Sequence, residues 1–277
     1  MVERGTCHRD AGAPVAWAGH LSHDLRAIDS TPGFGLLLAA AAAAALVVGF
    51  LRTSIGGGIG LVLTPTLSLV LPPAVVLALI APLMNFSDPI AVRLYWRQWD
   101  TRLLRLLWPS SLVGVVLGAA LLAALPEAWL ARTVGAVALV FAVAQLALRG
   151  RRPALPGPAP SRGMGVGAGL VMGVASMVAH SGGLVLTLYL LGLRLSTTTI
   201  LATSNTLIVL TNALKVIGYW QVGFLTGRIL LVAVLVIPLL ALGSWLGFRV
   251  GGRLPRRAFE LALLSIAIAG AVRLLLR

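Results

Sequence analysis

The chain has 277 residues, 58% hydrophobic and only 11% charged, with 22 Lys+Arg against 8 Asp+Glu and a net charge of +14. Soluble domains carry roughly 45–50% apolar and about 25% charged residues, and the mean hydropathy of +0.97 points away from them as well. A water-soluble fold of this size cannot hide so much apolar surface, so soluble enzymes and nucleic-acid binders are excluded. The lipid bilayer is the expected partner. The basic residues lie between apolar runs, where cytoplasmic arginine sets orientation, and form no nucleic-acid-binding stripe. A single cysteine, Cys7, allows neither an internal disulfide nor a thiolate cage. Of His8, His20, His23 and His180, only the last lies in an apolar run, so no metal or other cofactor is expected.

Residues 1–32 are polar, of mixed charge (Glu3, Asp10, Asp24, Asp29) and without periodicity. A signal peptide reaches its apolar core sooner and carries fewer acids, so this stretch reads as a polar tail. A span takes about 20 apolar residues, and residues 33–51 supply the first. Residues 53–87 hold no charge, and Leu71-Pro72-Pro73 divides them into two segments. Two more follow at 103–125 and 129–148, separated by Pro126-Glu127. An Arg-, Pro- and Gly-rich linker occupies 149–162. The second half then runs 163–179, 182–193, 196–217, 227–248 and 258–276. The expected organisation is a tail (1–32), a first transmembrane repeat (33–148), the linker (149–162) and a second repeat (163–277).

The halves echo one another. Gly60-Leu-Val-Leu-Thr64 returns as Gly183-Leu-Val-Leu-Thr187, and Tyr95-Trp96 as Tyr219-Trp220. Gly114-x-x-x-Gly118 before Leu125-Pro126 returns as Gly243-x-x-x-Gly247 before Leu254-Pro255. Charge, in contrast, reverses between the copies. The stretch around the first Tyr-Trp carries Arg93, Arg97, Arg102 and Arg105, and the loop after the second only Arg228. Pro126 is followed by Glu127, whereas Pro255 sits among Arg249, Arg253, Arg256 and Arg257. Equivalent loops of opposite bias belong on opposite sides of a membrane, as an odd number of crossings per half requires. The fold class predicted is all-α: a polytopic helical membrane protein of two inverted-topology repeats, each of four to five segments, with broken or short helices at the glycine motifs. If the short second segments only dip in and return, the crossing count becomes even and the inversion fails.

Two apolar runs are interrupted by small residues at equivalent positions: Ser54-Ile55-Gly56-Gly57-Gly58 and His180-Ser181-Gly182-Gly183. Glycine costs a helix interior roughly 1 kcal/mol relative to Ala. The freed N–H groups at a break need protein or ligand partners in lipid, and the next half-helix aims its positive end at the gap. Paired breaks of this kind point to a transporter's binding site, although small residues also line helix interfaces. Asp88 is the one acid deep in the first half's apolar run, and intramembrane acids are functional candidates by default. Its counterpart is Asn212, with Lys215 one turn beyond on the same face. An Asp88–Lys215 ion pair and a transport role are both open. Asn85, Ser204 and Asn205 add polar groups that also suit helix-to-helix hydrogen bonding. His180 is a candidate proton carrier or a core histidine with its bonds satisfied. Trp96, Trp99, Trp108, Trp129 and Trp220 read as interfacial anchors. Gly114/Gly118, Gly243/Gly247 and Gly165/Gly169/Gly173 read as packing faces.

Ile55-Gly-Gly-Gly with Pro65, then Leu71-Pro72-Pro73 opening a helix, then a Tyr-Trp before a basic loop, resembles the TauE/SafE-type sulfite exporter family. The second half adds Leu201-Ala-Thr-Ser-Asn205, Asn212-Ala213, Gly218-Tyr219 and Gly247-x-x-x-Gly251-Gly-Arg-Leu-Pro255. The resemblance covers roughly residues 33–277. It implies an inner-membrane, multi-pass permease of two repeats that moves sulfite, sulfonates or related organosulfur anions, with the glycine break carried over to Gly56, Gly57 and Gly58. The chain departs from the family's pattern in having no proline near Thr187 and in placing Asp88 beside an anion's path. Together these features predict a secondary transporter for a small anion, with Ser54, Gly56, Gly57, Gly58, Asn85, Asp88, His180, Ser181, Gly182, Gly183, Asn205, Asn212 and Lys215 about the substrate. Protons are the expected coupling ion, through Asp88 or His180, and a homo-oligomer is compatible with the reading. Two alternatives are an intramembrane enzyme built on Ser181, His180 and Asp88, and a membrane partner protein that transports nothing.

Overall fold

The computed structural model describes residues 31–54, 59–148, 161–193, 195–250 and 256–276. Most of the tail and most of the linker therefore lie outside the described residues. Every regular element within them is helical. The first half comprises α1 (Thr31–Ser54), α2 (Ile59–Leu67), α3 (Pro73–Leu94), α4 (Thr101–Ala124) and α5 (Glu127–Leu148). The second comprises α6 (Arg162–Ala179), α7 (Gly182–Leu191), α8 (Thr197–Gln221), α9 (Gly227–Leu235), α10 (Ile237–Val250) and α11 (Arg256–Leu275).

The helix starts follow local chemistry. Asp100, Ser161, Ser196 and Thr226 each accept hydrogen bonds from the first-turn N–H groups of α4, α6, α8 and α9, which lack intrahelical partners. Proline, whose fixed φ and missing N–H suit a first turn, opens α3 at Pro73. Five helices among the described residues are long and apolar enough to cross a membrane, or six if α9 and α10 count as one bent span. That pair corrects the expected single segment at 227–248: it is two helices meeting at 46°. Pro238, second in α10, cannot donate the bond that would join the two, yet its counterpart Pro109 lies inside an unbroken α4.

Glycine governs which helices approach closely. A Cβ on Gly114 would run into Leu170 and Gly173, and one on Gly169 into Ser110, so α4 and α6 touch backbone to backbone. On the other side Gly243 lies against Leu46 and Gly247 against Phe50, bringing α10 onto α1 in the same manner. These are the predicted packing faces, and small residues are what permit such approach without lipid or side chains between. At the centre runs α3, where Leu77, Ala78, Leu79, Ile80, Ala81 and Leu83 have no exposed surface. It packs on α8, its counterpart in the second half. The short helix α7 runs back along α6: Gly182 sits against Met172 and Ser176, and Tyr189 reaches Gly165.

Candidate functional site

The start of α2 and the sequence's second small-residue break, between α6 and α7, meet at the middle of the fold. The first break of the sequence, at Gly56, Gly57 and Gly58, lies outside the described residues. At the second, α6 ends on His180 in the left-handed conformation (φ 53°, ψ 25°). The His180 and Ser181 N–H groups bond back to the carbonyls of Ser176 and Ala175. This non-glycine residue at positive φ is uncommon, and the turn it makes aims α7 back along α6. The start of α2 abuts this turn so tightly that a Cβ on Gly60 would overlap that of His180 and lie 2.7 Å from its carbonyl oxygen.

Around this meeting point a polar cluster is buried in apolar surroundings. Arg52, near the end of α1, donates from Nη2 to Asp88 Oδ1 on α3 at 2.6 Å. The other carboxylate oxygen accepts from Asn212 Nδ2 on α8 at 2.8 Å. Asn85, one turn before Asp88, donates to the Asn212 carbonyl (3.0 Å) and to that of Ala81 (3.0 Å), tying α3 to α8. One turn beyond Asn212, the Lys215 ammonium lies 3.4 Å from His180 Nδ1. The His180 ring also has the Ser176 carbonyl at 3.2 Å and the Tyr219 hydroxyl at 3.4 Å. Tyr219 in turn donates to the Met177 carbonyl. Asp88 and Lys215 are each only 1% exposed. An ion at such a depth persists only when paired and hydrogen-bonded, as Asp88 is on both oxygens.

A cavity of about 40 Å³ opens beside this cluster. One water needs about 10–15 Å³, so the space takes something as compact as a small oxyanion. Its walls are Gly60 and Leu61 at the start of α2, and His180, Ser181 and Gly183 at the second break. Arg52, Asn212 and Lys215 close it on the polar side. The lining thus offers two cationic side chains, an amide and a helix start, which together are the donors an anion requires.

Of the residues singled out in the sequence, His180, Ser181, Gly183, Asn212 and Lys215 line the cavity. Asp88 and Asn85 stand one layer behind. Ser54 turns its hydroxyl to the Phe50 carbonyl (2.7 Å), Gly182 packs on α6, and half-buried Asn205 does not reach the lining. The Asp88–Lys215 ion pair does not form: Asp88 is paired with Arg52, and Lys215 turns toward His180. Asn212 occupies the carboxylate oxygen that faces α8, leaving the ammonium one turn further on. Ser181 donates to the Ala179 carbonyl (3.0 Å), and among the described residues no hydrogen bond links Ser181, His180 and Asp88. They do not form a nucleophile–base set in this arrangement.

Two residues of the cluster went unnoticed in the sequence. Arg52 looks like a charge flanking the first span, although its place two residues before the glycine break was a usable signal. Tyr219 looks like half of a repeated Tyr-Trp marker, yet it is fully buried while Trp220 is 58% exposed.

The model of the family described as sulfite exporter TauE/SafE matches residues 41–274. No curated protein and no solved structure matches the chain. The matched stretch runs from the middle of α1 to the end of α11 and contains both small-residue motifs and every member of the buried cluster. This multi-pass membrane protein belongs to the TauE/SafE sulfite exporter family.

Proposed function

We propose that the chain is a secondary transporter that carries a compact sulfur oxyanion, such as sulfite or an organosulfonate, by alternating access across the inner membrane. The observation that carries this reading is the meeting of the start of α2 with the turn between α6 and α7 at one small cavity lined by Arg52, Lys215 and Asn212. The start of α7, where Gly183 lines the cavity, turns its positive end toward the anion. Lys215 supplies the countercharge and Asn212 a directional donor. Asp88, held between Arg52 and Asn212, and His180, beside Lys215, are the groups through which a proton couples to transport.

The chain is read as a duplication (33–148 and 163–277) with the halves inverted in the membrane. Two features support this. α4 packs on α6 through Gly114 and Gly169, and α10 packs on α1 through Gly243 and Gly247; an interchange of halves turns one contact into the other. In addition, α7 returns along α6, so this pair brings the chain back to its starting side. The remaining segments, α8, the bent α9–α10 and α11, then make an odd number of crossings.

Uptake of labelled sulfite, sulfoacetate and taurine into proteoliposomes tests the reading. Saturable flux of at least one of them, lost in Lys215→Ala, is expected. No saturable anion flux in either direction would overturn it.

A further inference from the structure

Building on the anion-site reading, we infer that Asp88 sets the charge of the anion: with the Arg52–Asp88 pair intact the site takes a singly charged oxyanion and disfavours a doubly charged one. Three charged side chains make up the cluster. Arg52 and Asp88 cancel one another at 2.6 Å. Lys215 is 1% exposed, has no carboxylate within 4 Å among the described residues, and meets only the His180 ring at 3.4 Å. The ring nitrogen facing it, Nδ1, also has the Ser176 carbonyl at 3.2 Å, which only accepts, so Nδ1 carries the ring's proton; a second positive charge on a ring 3.4 Å from the ammonium is repelled, and the imidazole adds no charge. One net positive charge is left at the cavity wall, in surroundings where a buried ion needs a partner. A monoanion completes the balance. A dianion overfills it and meets the Asp88 carboxylate, whose two oxygens are committed to Arg52 and Asn212 just behind the lining.

The inference is tested with methanesulfonate and sulfate, which share a tetrahedral sulfur head and differ by one charge. Their binding to the purified full chain in detergent is measured by calorimetry, for the wild type, Asp88→Asn and the double variant Arg52→Gln/Asp88→Asn. The wild type is expected to hold methanesulfonate more tightly. In Asp88→Asn the affinity ratio should move toward sulfate by tenfold to on the order of a hundredfold, as for one unit charge roughly 5 Å from another at an effective dielectric near 20. The double variant removes one charge of each sign and should return the ratio to that of the wild type. A ratio in Asp88→Asn within about threefold of the wild type, with both proteins binding anion, overturns the charge rule and leaves the anion site standing. Failure of the wild type to bind any anion overturns both. Should Asp88→Asn not fold, Lys215→Gln replaces it. That variant keeps the Arg52–Asp88 pair and brings the net charge to zero, so it should lose methanesulfonate at least tenfold, and undiminished binding overturns the rule.

Discussion

Gly60 and Gly183 occupy the same place in the repeated Gly-Leu-Val-Leu-Thr, yet alanine should act very differently at the two. At Gly60 the new methyl would overlap the His180 Cβ and sit 2.7 Å from the His180 carbonyl oxygen, where ordinary contact begins at 3.4 Å. Both obstacles belong to the turn itself, not to the end of a flexible side chain, so the start of α2 and the second break must separate by about 0.7 Å or more. Overpacking of this kind costs typically 1–3 kcal/mol, partly offset by the better helix propensity of alanine, worth up to about 1 kcal/mol. At Gly183 the methyl meets only the Ile208 Cδ1 atom, at 3.3 Å. A methyl at the end of a flexible side chain can give way, and the propensity gain leaves this variant neutral or slightly stabilised. Thermal unfolding in detergent should therefore show Gly60→Ala several degrees below the wild type and Gly183→Ala within about a degree of it or above. Anion flux in proteoliposomes should fall at least tenfold in Gly60→Ala, because site groups displaced by about 1 Å lose on the order of a hundredfold in effectiveness. Equal damage from the two substitutions, or a silent Gly60→Ala, would refute the claim that the start of α2 is held against the His180 turn through Gly60.

Other substitutions probe the remaining parts of the argument. Arg52→Gln alone strands the Asp88 carboxylate and should destabilise by about 3–5 kcal/mol, whereas Arg52→Gln/Asp88→Asn should recover most of that loss; unfolding in a denaturing detergent gives the cycle, and additive effects would show that the pair is not coupled. Gly173→Leu drives a branched side chain into the Ser111 carbonyl and Gly114. It should abolish the monodisperse peak in size-exclusion chromatography, while Gly167→Leu, on the same helix with nothing within 4 Å of its Cβ position, should keep it. Asp100→Ala removes the acceptor for the Arg102 and Leu103 N–H groups and should lower stability by about 0.5–2 kcal/mol without altering the relative affinities of different anions.

Hydropathy and small-residue spacing made a good part of this molecule legible. The apolar runs are helices, Pro72-Pro73 does open one, and the Gly-x-x-x-Gly pairs do bring helices together. Each of these depends on neighbours within one or two turns, where backbone geometry and side-chain volume decide the outcome. The helix break at His180 was readable for the same reason, as was the joint placement of Asn212 and Lys215, one turn apart on α8. What failed was partner choice. Asp88 lies 124 residues from Asn212 and 36 from Arg52, and nothing in the local pattern says which cation reaches it. The repeat suggested Lys215, but a carboxylate pairs with whatever donor the packed helices deliver, and the end of α1 delivers Arg52.

The sequence by itself determined that the chain is helical, lives in lipid and breaks its helix at His180, because apolar content, helix periodicity and the cost of glycine act residue by residue. Only the tertiary structure decided that the start of α2 touches the turn at His180, that Pro238 bends its span while Pro109 does not, that Tyr219 is buried beside His180, and that Lys215 meets no carboxylate among the described residues. Those outcomes depend on which backbones can approach closely enough to exclude lipid, and on how buried charges then find partners among groups distant in the chain.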